Sequence, residues 1–184
     1  NKIDFVHYIK ADYHQVIKST NNTIKEAQKY NDALSEAGAR YTQAFAYSQL
    51  GFYEEANNTV DIGLQLIKNN NSDEAQKCKG YLYTVKGEIF NKKSDDQNKA
   101  LLYLKKSGEE FSKIKNISLK NKSLINAYSN YAVAYAALKK TDSAIYYNQL
   151  ALQLNPKKYA LDNTLAFIYM GLGLTYKEKK ETDK

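Results

Sequence analysis

Apolar and small residues recur three and four apart along most of the chain, the spacing that gathers them on one face of an α-helix. Residues 3–19 carry Phe5, Ile9, Tyr13, Val16 and Ile17 in this way. The Ser19-Thr20-Asn21-Asn22 cluster then reads as a break and a cap for a second helix with Ile24, Ala27, Tyr30 and Leu34. From residue 37 the pattern predicts a helix to residue 50, a turn at Gly51 and a partner over 53–68 with Ala56, Val60, Gly63 and Leu64 inward. The polar run 69–73 reads as a loop and helix cap. A further pair spans 74–114, turning at 92–97, and a polar connector covers 116–122. The next pair turns at 139–142 and ends at Pro156, and a last helix runs over about 161–180.

A second periodicity lies inside the first. Small residues fall at Ala44, Gly87, Ala132 and Gly173, each followed three residues later by a ring: Tyr47, Phe90, Tyr135 and Tyr176. The partner helices carry their own small residue at Ala56, Ala100 and Ala144, in steps of 44 residues. Two helices approach closely where one presents Ala or Gly and a side chain of the other fills the notch. In the stretch 126–156 the order is Tyr128, Ala132, Tyr135, Ala144, Ala151 and a closing Pro156. That order resembles the tetratricopeptide repeat, a helix–turn–helix unit. The step here exceeds the roughly 34 residues of the commonest form. It is similar to the long-period repeats in sensory regions of bacterial regulators.

The resemblance implies an all-α fold, a right-handed α-solenoid of antiparallel helix pairs, with 1–184 as a single repeat domain. Its units are 37–72, 73–116 and 117–156, with 157–184 as a terminal helix, either a cap or the first half of a truncated unit. Residues 1–36 fit either a degenerate first unit or a lone second helix followed by a long first one. The resemblance also implies a function: a non-catalytic module whose concave face holds a polypeptide or peptide. The residues it assigns to that face are Tyr41, Phe45 and Ser48, then Tyr81, Thr84, Glu88 and Asn91, then Asn126, Ser129, Asn130, Val133 and Ala136. Rings there give apolar area and amides pair with a peptide backbone; the bland alternative is that Tyr41 and Tyr81 merely pack between units. The basic and Asn positions of the carboxylate-clamping members are not reproduced beyond Asn130, which disfavours a terminal-carboxylate ligand. The setting implied is the sensor or scaffold part of a larger bacterial signalling or transcriptional regulator, continuing past Lys184. The alternative is a scaffold that self-associates through 161–180, where Phe167, Ile168, Met170, Leu172 and Leu174 make the helix apolar on more than one side.

Composition changes little in this picture. One Pro and eight Gly in 184 residues suit helices, and 17 Tyr with no Trp suit rings whose hydroxyls reach water at the edge of a stack. The net charge is +7, but the lysines are dispersed, and Lys177, Lys179 and Lys180 alternate with Glu178 and Glu181. A solvated surface explains them better than nucleic-acid binding. The longest nearly apolar run, 165–174, is too short to span a bilayer. A lone cysteine, Cys78, forbids an intrachain disulfide. It permits a reducing compartment such as the cytoplasm, while a periplasmic sensor domain stays open. The chain shows no signal peptide and starts at Asn1, as a processed fragment would. No phosphate loop, paired Cys spacing or H-E-x-x-H motif is present, and His7 and His14 lack a matching carboxylate. Neither cofactor, metal nor catalysis is expected.

Overall fold

Five helices begin where a short polar side chain satisfies the first amides, while two others follow Phe52 and Lys140 without such a cap. In the computed structural model, which describes residues 12–93, 96–154 and 162–182, eight helices follow one another and no strand occurs among the described residues. They are α1 (Tyr13–Lys29), α2 (Ala33–Gln49), α3 (Tyr53–Leu66), α4 (Asp73–Lys93), α5 (Gln97–Ser112), α6 (Ile117–Ala137), α7 (Thr141–Gln153) and α8 (Asp162–Thr182). Asp12, Asp32, Asp96 and Asn116 accept from the amides of Gln15, Ser35, Lys99 and Leu119, and Ser72 Oγ accepts from Ala75 N.

Three turns share one device. Asn31, Gly51 and Lys139 take positive φ of 54°, 82° and 55°. The amide that follows each closes back on the carbonyl of Ala27, Tyr47 or Tyr135 at 2.9 Å. This is the left-handed helix stop that leaves carbonyls satisfied. The ring markers Tyr47 and Tyr135 are therefore also the residues whose carbonyls close the turns.

Two expectations at the ends of helices are corrected. The Ser19–Asn22 cluster does not break the chain: α1 runs straight through it. Thr20 is buried and its hydroxyl donates to Val16 O and Ile17 O at 2.9 and 3.0 Å, so its polar group is satisfied inside the helix. The break falls later, at Asn31, which moves Leu34 into α2. The polar run 116–122 is not a connector either. Asn116 is the cap and the rest is the partly exposed start of α6, from which Leu119 packs against the core. The expectations for residues 3–11, His7 among them, and for Pro156 lie outside the described residues.

Packing follows a simple rule. Each helix touches the next, and in addition α2 packs on α4, α4 on α6, and α6 on α8. No such contact joins α1, α3, α5 and α7 to one another. The even helices thus lie side by side, with each odd helix wedged against them. Ala56, Ala100 and Ala144, the notches of the odd helices, are fully buried, as are Ala44 and, to within 2%, Ala132. Gly87 lies against Leu104 and the carbonyl of Ala100 in α5. At two notches the ring stacks on a ring three residues past the partner's alanine, Phe90 on Tyr103 (5.5 Å, 12°) and Tyr135 on Tyr147 (5.3 Å, 5°), while Tyr47 meets Phe52 edge-on at 6.4 Å. The last step fails. Gly173 is exposed with nothing within 4 Å of an added Cβ, and Tyr176 is half exposed. The other notches are filled by the helix that follows them, and no described helix follows α8.

Candidate functional site

The side-by-side even helices leave a cleft of about 310 Å³, and every described residue lining it comes from α2, α4, α6 or α8. α2 contributes Tyr41 and Phe45, and α4 contributes Tyr81, Thr84, Val85 and Glu88. Asn126, Ser129 and Asn130 reach it from α6, and Thr164 and Phe167 from α8. Helical spacing explains the set. Tyr41 and Phe45, Tyr81 and Val85, and Asn126 and Asn130 are each one turn apart on a single face.

The rings both line the cleft and hold the helices together. Tyr41 stacks on Tyr81 (5.2 Å, 27°), and Tyr81 meets the edge of the fully buried Phe111 at 5.1 Å. The Asn126 amide approaches the Tyr81 hydroxyl at 3.5 Å. Thr84 is buried, with its hydroxyl committed to Gly80 O (3.1 Å) and to Ser107 Oγ of α5 (2.8 Å). Not every position singled out in the sequence reaches the cleft. Ser48 is buried inside the fold, Asn91 is half-buried one turn past Glu88, and Val133 and Ala136 lie beyond the lining.

Among the described residues Glu88 is the single charged group in the lining. Burial pushes its carboxyl up to about 7 from 4.5, and Lys92 one turn on offsets part of the rise. The Lys92 ammonium is in turn held below its usual range by burial, with Glu88 opposing that. Among the described residues no hydrogen bond or ion pair engages the Glu88 carboxyl.

Chemistry elsewhere is sparse. Cys78 is buried in the core of α2, α3 and α4, and burial pushes its thiol up to about 11, so it presents no thiolate near neutral pH. Among the described residues no group of three His, Cys, Asp or Glu side chains comes together, and no helix is long and apolar enough to cross a membrane. His14 is exposed on the first turn of α1.

Val85, Thr164 and Phe167 were missed from sequence. Phe167 sits six residues before Gly173, as Tyr81 sits six before Gly87 and Asn126 six before Ala132. Carrying that offset into the last helix would have found it. No family model matches the chain, and no curated protein is significantly similar to it.

Proposed function

We propose that the protein is a binding module of the tetratricopeptide type, a right-handed solenoid of antiparallel helix pairs whose inner face receives an extended polypeptide. The observation that carries the reading is the cleft itself. It runs across four consecutive even helices and offers rings, primary amides and a hydroxyl, with one carboxyl at its side. Rings bury apolar side chains of a peptide, and Asn126 and Asn130 each offer both a donor and an acceptor to its backbone. Among the described residues no converging nucleophile and base accompany them, and the reading is one of binding. The long repeat step favours the sensor or scaffold part of a larger signalling or transcriptional regulator.

An array of capped octapeptides probed with the full chain tests this, followed by amide NMR on the bound complex. Shifts clustered on Tyr41, Tyr81, Asn130 and Phe167, and loss of binding in Tyr81→Ala, are the expected result. Peptides that bind without touching these residues would remove the reading.

A second reading is favoured by one observation. On α8, Tyr169, Met170, Leu174 and Tyr176 are about half exposed or more, an apolar face of the kind that contacts another chain. In it two copies associate through residues 161–180. Sedimentation of the wild type against Met170→Glu/Leu174→Glu tests it, and a wild type that stays monomeric up to about 1 mM, where even a weak dimer would show, ends it.

A further inference from the structure

Glu88 sets the charge of the cleft against the charge of the protein. The chain as a whole carries +7, yet among the described residues its groove is lined by no cation and by one carboxyl. That carboxyl is desolvated and engages no hydrogen bond or ion pair among the described residues. Rings line the same cleft: Tyr41 and Phe45 from α2, Tyr81 from its own helix and Phe167 from α8. A cleft that combines a carboxyl with aromatic rings attracts an ammonium or guanidinium, through its charge and through the ring faces. A neutral side chain seated there would leave the carboxylate buried and unpaired, which is costly. An acidic one would be repelled.

We propose that the groove selects an extended peptide bearing a basic side chain, arginine or lysine, whose cation seats against Glu88. This rests on the peptide reading above and narrows it. The neutral Asn126 and Asn130 serve the backbone on either side, and Glu88 reads the one position that carries charge.

Binding of a cation draws the Glu88 proton off. The titratable neighbours are Tyr41 on α2 and Tyr81 and Lys92 on α4. Among the described residues α6 and α8 present none to the cleft, and α3 and α5 put no side chain into it. With the free carboxyl titrating at about 7, the fraction ready to accept a cation rises with pH, and affinity rises about tenfold from pH 6 to pH 8.

The test uses the full chain and capped octapeptides free of His, Asp and Glu, with hits measured by calorimetry at pH 6, 7 and 8. Expected are hits that carry Arg or Lys, bind about tenfold more tightly at pH 8 than at pH 6, and weaken about tenfold or more in Glu88→Gln. In that variant the pH dependence flattens, and Glu88→Lys moves the preference to acidic peptides in a companion array. Circular dichroism checks that both variants fold, and the wild-type pH series needs neither. Hits that are lost in Phe167→Ala but carry no basic residue, or ignore Glu88→Gln, overturn the selection and leave peptide binding standing. Affinity that falls with pH also overturns it, because the carboxyl would then be acting as a neutral donor. An array with no groove-bound peptide overturns both.

Discussion

Gly80→Ala is the most direct test of the packing that shapes the groove. An added Cβ would meet Phe111 Cζ at 2.7 Å and two further ring atoms closer still. Phe111 is fully buried and cannot swing out, and Tyr81 already lies against it at 5.1 Å. Any retreat of the ring therefore pushes Tyr81, which carries Tyr41 with it. Helix propensity alone favours Ala over Gly by about 1 kcal/mol. Overpacking a filled core costs typically about 1–3 kcal/mol, and here three ring atoms clash at once, which puts the cost at the upper end. The net expectation is a loss of about 1–2 kcal/mol in urea unfolding, with altered tyrosine near-ultraviolet dichroism as the Tyr41–Tyr81 stack shifts. Phe111→Leu in the same chain should recover part of the loss, a coupling of about 1 kcal/mol or more in the double-mutant cycle. Gly38→Ala is the control. It is a helical glycine with nothing within 4 Å of an added Cβ, and it should gain up to about 1 kcal/mol. If Gly80→Ala proves as stable as the wild type, with the tyrosine signal unchanged, the notch is not closed by Phe111 and the account of the groove wall is wrong.

Further expectations follow from single groups. Glu88 is raised to about 7 in the fold, so the folded state holds its proton more tightly and stability falls as pH rises from about 4.5 to 7. Glu88→Gln should therefore exceed the wild type by about 2–3 kcal/mol at pH 8 and by about 1 kcal/mol or less at pH 5, and an equal gain at both would contradict the shift. Lys139→Gly should stabilise by about 0.5–1 kcal/mol, since a side chain at φ 55° is strained where glycine is not; a loss in thermal unfolding would place the strain elsewhere. Cys78 should react with a thiol reagent only as fast as the protein opens, with labelling rates that track urea concentration. Fast labelling in native buffer would contradict its burial.

Sequence and structure agree where a residue's role is decided by size alone. Ala56, Ala100 and Ala144 could be placed because nothing larger fits between two close helices, and all three are fully buried. They part where a polar residue has two ways to be satisfied. Thr20 in a Ser-Thr-Asn-Asn run looks like a helix end, yet its hydroxyl bonds back to its own helix. Lys120, Asn121 and Lys122 look like a linker, yet they are the start of a helix whose first turns are partly exposed. The notches at Gly80 and Gly108 escaped notice for another reason. Their rings, Phe111 and Tyr131, come from the following helix, 31 and 23 residues on, and no local period links them. Glu88 could be assigned to the groove by its offset, but its raised affinity for a proton depends on what three other helices remove from water.

No described helix touches one more than two places along from it. Such a chain has no keystone: α1 and α8 communicate only through every layer between them, and stretches at either end can unravel while the middle stays intact. Hydrogen exchange should accordingly grade from the middle towards both ends instead of switching off at a single threshold. An occupant of the cleft would be the one object in contact with α2, α4, α6 and α8 together. It would act as a splint, turning a row of loosely linked segments into a body that yields all at once.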